Sequence, residues 1–322
     1  SRKAEEWYSV IEESEESFLP VMSHLSWASI PVLSPKAANR FAIGPKQSNK
    51  PLVFPPDGRR METHASWDRE MAMTTLPQAT IDTFRGQFGG PVFEPTDAGY
   101  HEARQIWNAM IDRKPALIAQ CHSPEDVVAA VNLGRDQSML ISVKGGGHNI
   151  AGNAVCDDGL MIDLSQMKDI EVDTEKQRAY VGPGCTLADF DAAAQKHGLA
   201  TPLGINSTTG VAGLTLGGGF GWLSRKFGMT VDNLISVDMV TAEGRQIRAS
   251  ATENPDLFWG NRGGGGNFGV VTRFQFQLHP VGPELLSGLI VFPFDQAQSV
   301  VSQFARFTET MPDELNVWLV IR

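Results

Sequence analysis

Little in this sequence suggests a scaffold held together by anything other than its own core. Its three cysteines, Cys121, Cys156 and Cys185, form neither a CxxC pair nor a zinc-type spacing. That argues against a disulfide framework, leaves no metal site to expect, and makes a reducing, cytoplasmic compartment the default. Nowhere do about 18 apolar residues run together, so no transmembrane helix and no membrane partner is expected. The N-terminus lacks a basic stretch followed by an apolar one and does not read as a secretory signal. Basic charge is in deficit, with 27 Lys and Arg against 37 Asp and Glu and a formal net charge of −10. No basic stripe reverses this locally, which disfavours a nucleic-acid partner, because phosphate binding is built on excess cationic charge. Tyrosine is scarce: Tyr8, Tyr100 and Tyr180 are the whole set.

What is present is a hydrophobic content of 42%, enough to bury a core in 322 residues and too high for a disordered chain. Glycine is abundant and clustered, at 145–147, 210–221 and 263–269. Clustered glycines mark backbone that approaches something closely or takes positive φ.

Three regions are expected. Residues 1–72 read as an irregular extension: a short helix over Lys3–Phe18 precedes prolines at 20, 31, 35, 45, 51, 55 and 56, which forbid long helices and central strands. The chain opens on Ser1 rather than methionine, and Met71 or Met73 is a possible start of the ordinary domain. Residues 73–282 carry the clearest pattern. A strand over 116–120 leads to Ser123-Pro124-Glu125-Asp126, a helix start with a serine cap, proline in the first turn and an acid three residues after the cap. Strands follow at 139–143 and 160–164, then a hairpin of 170–172 with 178–181. A helix opens at Thr186-Leu187-Ala188-Asp189 and closes at Gly198, a second hairpin joins 234–241 to 246–249, and a strand spans 270–278. Strands and helices in this order give an α+β class. Beyond Pro283 a strand at 289–292, a helix at 295–310 and a strand at 315–321 read as the beginning of a second, incomplete domain over 283–322.

The glycine runs carry the chemistry. Val143-Lys144-Gly145-Gly146-Gly147-His148-Asn149 ends a strand in a row of bare amides suited to an anion such as a pyrophosphate. Lys144 either adds charge there or points to solvent. A single glycine triplet is more often a flexible loop, and a single histidine more often packed or on the surface. The second run, Gly210 to Trp222, lacks the GxGxxG spacing of a dinucleotide-binding βαβ unit, and no Gly-Lys-Ser/Thr of a P-loop occurs. The third, Gly263 to Gly269, holds four consecutive glycines, costly to order. Three such runs in one domain point to one long ligand wrapped by backbone.

Together these motifs resemble the FAD-linked oxidase family of the vanillyl-alcohol-oxidase fold, in its berberine-bridge-enzyme-like and hydroxynicotine-oxidase branch. The resemblance spans about 115–280. It rests on Gly145-Gly146-Gly147-His148-Asn149, Gly210 to Gly221, Gly228-Met229-Thr230-Val231-Asp232-Asn233, and Asn254-Pro255-Asp256-Leu257-Phe258-Trp259 continuing to Val271. It implies a PCMH-type FAD-binding domain of two α/β subdomains, followed by a truncated α+β substrate domain. It implies FAD held by Lys144, Gly145, Gly146, Gly147, His148, Asn149, Gly210, Gly213, Gly217, Gly218, Gly219, Asp232, Asn233 and Val270, with the flavin tethered covalently to His148. Two departures stand out. Asn206, beside Ser207, occupies the place where many members carry a second, cysteinyl link, so a single tether is expected and Cys185 is read as a packed thiol. Lys144 stands where arginine is usual, a point charge in place of a planar fork. The implied reaction oxidises a CH–OH or CH–NH group of a small-molecule alcohol, amine or sugar by hydride transfer to flavin N5, with O2 as acceptor. No catalytic residue is assigned, because the closing motif with its tyrosine and asparagine is missing. An inactive flavin-binding remnant is the alternative, and a nicotinamide-dependent dehydrogenase the weaker rival.

Overall fold

The structure, a computed structural model, describes residues 76–321. The expected helix over Lys3–Phe18 and the extension over 1–72 lie outside the described residues. Two compact units are distinguished: the described part of one comprises 76–288 with 311–317, and that of the other 289–310 and 318–321.

The larger unit holds two main sheets. The first contains β1 (Val92–Phe93), β2 (Leu117–Gln120), β3 (Ile141–Lys144) and β4 (Leu160–Asp163) in the order β1-β2-β4-β3. β2 and β3 both run parallel to β4, with Leu117 and Ile141 each in register with Leu160, and β1 closes the edge antiparallel. The crossover from β2 to β3 is the helix Pro124–Asp136. The Ser123 hydroxyl accepts from the Asp126 amide, and the Asp126 carboxylate accepts from the Ser123 amide. That satisfies two donors left open at the helix start. Val127, Ala130 and Val131 of the helix bury against Leu117, Ala119, Leu160 and Ile162. β4 is buried throughout, as its unbroken apolar run requires of a central parallel strand.

The second sheet is antiparallel, in the order β5-β6-β10-β8-β9. It is built from β5 (Ile170–Asp173), β6 (Arg178–Val181), β8 (Leu234–Val240), β9 (Gln246–Ser250) and β10 (Val270–Gln277). Both expected hairpins form, β5 with β6 and β8 with β9. Val237, Met239, Phe274 and Phe276 pack with Phe190 of the helix Leu187–Gln195, whose start repeats the capping box with Thr186 and Asp189. β7 (Leu199–Ala200) and β11 (His279–Pro280) pair separately. This is the α+β class expected, and no helix among the described residues is long and apolar enough to cross a membrane.

The segment beyond 283 departs from expectation. The helix forms over Ala297–Thr308, but neither 289–292 nor 315–321 is a strand. A strand exists through its ladder, and no strand among the described residues pairs with either segment. Apolar composition alone did not make them strands.

Candidate functional site

β3 delivers the chain into Gly145-Gly146-Gly147-His148-Asn149, and none of the five amides in that stretch donates to another group among the described residues. Five successive uncommitted N–H groups are unusual in folded backbone, where most are paired. The run lies hard against the second one. A Cβ on Gly146 would land on the Gly210 backbone nitrogen and Cα, and one on Gly210 would meet the Gly146 amide. Gly145 is closed off by the Pro183 carbonyl, which a Cβ would meet at 2.9 Å. Backbone against backbone leaves no side-chain rotation to relieve a methyl, so glycine is required at 146 and 210.

Gly210 also opens the short helix Val211–Leu216, in which the amides of Ala212 and Gly213 find no protein acceptor among the described residues. The helix ends in Gly217-Gly218-Gly219, where Gly218 has φ +110° and Gly219 φ +73°. The carbonyls of Gly218 and Gly219 accept from the amides of Val231 (3.0 Å) and Thr230 (2.9 Å). The third run attaches here as well: the amides of Gly263 and Gly265 both donate to the Leu216 carbonyl, at 3.1 and 2.9 Å. The three runs are therefore one contiguous set of loops. Within it a Cβ on Gly213, Gly263 or Gly266 would meet nothing within 4 Å, and of these only Gly263 takes a positive φ, so the fold itself calls for glycine at neither 213 nor 266.

His148 is half-buried at the end of the first run. Its Nε2 lies 2.9 Å from the Thr208 hydroxyl, and its ring stacks on Trp107 with centroids 5.0 Å apart and planes 23° from parallel. Desolvation lowers its pKa below the ordinary histidine value, which keeps the imidazole neutral at neutral pH. Asn149 turns its side chain back to accept from the Asn153 amide.

Several predicted residues are placed otherwise than their motif suggested. Lys144 neither points to solvent nor lends charge to the loop. It is buried, paired at 3.2 Å with the fully buried Asp163 and donating at 2.6 Å to the Ala103 carbonyl. The reason is the parallel register, which sets Lys144 directly beside Asp163. Asp232 accepts from the Met229 amide and pairs with Arg262, while Asn233 donates to the Phe227 and Met229 carbonyls and bonds His279. Both side chains are thus committed to the 227–234 turn. Val270 begins β10 opposite Val240. Cys185 is fully buried, and desolvation pushes its thiol up to about 12, as suits a packed side chain. Trp107 and Thr208 were not singled out from the sequence. Trp107 lies in a segment without periodicity, whereas Asn206 followed two residues later by Thr208 is an Asx-turn signature that could have flagged the latter.

A cavity of about 820 Å3 opens elsewhere, on the polar face of the second sheet, and none of the three glycine runs borders it. Both of its arginines are committed within the protein, Arg248 to Ser236 and Gln275, and Arg273 to Glu171. It offers less to an anion than the uncommitted amides of the loops.

Residues 115–250 match the FAD binding domain family. The chain is 40% identical over 227 residues to (R)-6-hydroxynicotine oxidase of Paenarthrobacter nicotinovorans, covering 70% of this chain and 48% of that protein. It is similar to the crystal structure of 6-hydroxy-D-nicotine oxidase from Arthrobacter nicotinovorans, with TM-score 0.67, 37% identity, and 70% of this chain against 50% of that one. It is also similar to a berberine-bridge-enzyme-like protein of Physcomitrella patens, with TM-score 0.60, 30% identity, and 62% against 44%. The chain spans about half the length of the relatives it matches.

Proposed function

Because this chain belongs through its FAD-binding domain to the family of FAD-linked oxidoreductases, we propose that it holds FAD along its three glycine runs and tethers the flavin covalently to His148. The observation that carries this reading is the row of five uncommitted amides at 145–149, pressed against Gly210 and ending in a neutral imidazole. These residues fit such a cofactor. The amides of Gly145, Gly146 and Gly147, with those of Ala212 and Gly213 at a helix start, suit a pyrophosphate. Gly213 and Gly266 leave open the space that a ligand against backbone needs. Gly217, Gly218 and Gly219 shape the turn, Asp232 and Asn233 brace it, and Lys144 steadies the first loop from inside through Asp163. The FAD-binding domain would occupy 73–282, with 283–322 beginning a substrate domain.

When bound, FAD would accept a hydride at N5 from a CH–OH or CH–NH group of a small molecule and pass the electrons to O2. The part assigned to the chain's own residues is to bind, orient and retain: His148 holds the ring system, and the loops hold the phosphates. The test is the absorbance of purified, acid-denatured protein. Flavin colour should stay with the polypeptide, and His148→Ala should release it into the supernatant. Colour retained in that variant would move the linkage elsewhere, and a colourless protein that takes up no added FAD would end the reading.

A further inference from the structure

Resting on the reading of His148 as the tether, we propose that Thr208 is its positioning residue, with its hydroxyl proton held by Asn206 so that His148 is fixed in the Nε2–H form and its Nδ1 lone pair is left for the bond. Asn206 accepts through Oδ1 from both the Thr208 amide at 3.1 Å and the Thr208 hydroxyl at 2.9 Å. The amide can only donate, so the oxygen of Asn206, not its nitrogen, faces Thr208. That oxygen has no proton to give. The hydroxyl's single proton must therefore lie on the line to Asn206, because otherwise two oxygens would confront each other through lone pairs.

What the hydroxyl has left is lone pairs, and His148 Nε2 stands 2.9 Å from it. A ring nitrogen facing a lone pair at that distance carries the hydrogen. In the neutral imidazole the second nitrogen, Nδ1, is then the base and nucleophile. No partner among the described residues occupies Nδ1. Trp107 holds the ring plane by stacking, and its own amide donates at 3.0 Å to the Gly147 carbonyl, which fastens it to the same loop. The imidazole is thus fixed from an edge and a face while its other edge stays open.

In the bond-forming step the Nδ1 lone pair makes the new bond to the flavin 8α carbon, and one 8α hydrogen leaves to solvent as a proton. The electron pair of that C–H bond stays in the ring system, which is reduced by two electrons and returned to the oxidised form by O2. The Nε2 proton, resting on Thr208, is the last to leave.

The test uses the full chain, prepared flavin-free and carrying 15N-histidine, with the His148 signals identified by their loss in His148→Gln. Nitrogen NMR should show a pyrrole-type Nε2 and a pyridine-type Nδ1. Thr208→Val, which removes the hydroxyl and keeps the shape, should shift the tautomer ratio by about five- to tenfold, the worth of one hydrogen bond. It should slow by at least as much the appearance of acid-stable, polypeptide-bound fluorescence after addition of FAD in air. Thr208→Ser should restore both. A proton found on Nδ1 in the parent chain, or a Thr208→Val chain that keeps both tautomer and tethering rate, overturns the proposal while leaving FAD binding intact. A parent chain with the expected tautomer but no polypeptide-bound flavin overturns the tether itself, and the role of Thr208 with it.

Discussion

Replacing Gly213 by alanine separates a glycine the fold needs from one that only a ligand needs. Gly213 sits exposed inside the helix Val211–Leu216, not at positive φ, and a Cβ there would meet nothing within 4 Å. On folding grounds alone alanine is the better residue, by about 0.5–1 kcal/mol at such a site. For a unit of this size that corresponds to a rise of about 1–4 °C in the melting temperature of flavin-free protein. A dinucleotide lying against the Gly213 backbone would instead collide with the new methyl. Overpacking of that kind costs about 1–3 kcal/mol, a loss of affinity of about five- to hundredfold. Thermal unfolding by circular dichroism reads the first effect and quenching of flavin fluorescence on titration reads the second. The two must move in opposite directions. Unchanged FAD affinity would remove Gly213 from the site, and a lowered melting temperature would reveal a protein contact in the space read as open. Gly146→Ala is the contrasting case, since its methyl strikes the Gly210 backbone and should lower both stability and binding.

Three further outcomes follow from the same geometry. Lys144→Met should destabilise the chain by about 3–5 kcal/mol in urea unfolding, because it strands the fully buried Asp163 without its cation; the double variant with Asp163→Leu should recover most of the loss, and a single variant within about 1 kcal/mol of the parent would show the pair to be idle. His279, stacked on Phe227 and bonded to Asn233, has its pKa lowered from the ordinary 6.5, first by burial and then by Lys226. The unfolded chain therefore takes up the proton first, so stability should be level above pH 6.5 and fall as the pH drops below it, with the slope reduced in His279→Gln. All three thiols are buried with raised pKa values, so the native chain should react with no alkylating agent at pH 8 and show three reactive thiols once unfolded.

Elements whose signals are local were legible in the sequence. Ser123 and Asp126, and again Thr186 and Asp189, mark helix starts because a capping box is written within four residues and satisfied within four residues. The two hairpins were legible for the same reason, each turn lying between the strands it pairs. Segments 289–292 and 315–321 have the composition of strands, but a ladder needs a partner, and composition does not say whether one is at hand. The glycine runs were legible as loops serving one ligand; the contacts that join them were not, since Gly146 meets Gly210 and Leu216 meets Gly263 only across long stretches of chain.

The side chains of the site mark where local reading stops. Lys144 was the cation nearest the first glycine run in sequence, yet the register of β3 on β4 places it beside Asp163, and a buried carboxylate holds an ammonium more strongly than an exposed loop can. Spacing along a strand fixes which face a residue takes, but the partner on that face comes from another strand. The same distinction governs His148. Its motif gives its position on the loop, whereas its tautomer depends on a hydroxyl sixty positions later in the chain and on the turn that orients that hydroxyl. A motif therefore carries the backbone cradle, which each glycine supplies by itself, more faithfully than it carries reactivity, which arises only when separate segments bring a donor and an acceptor into line. If His148 proves reactive, the cause lies in Thr208 and Asn206 as much as in the Gly-Gly-Gly-His run that carries it.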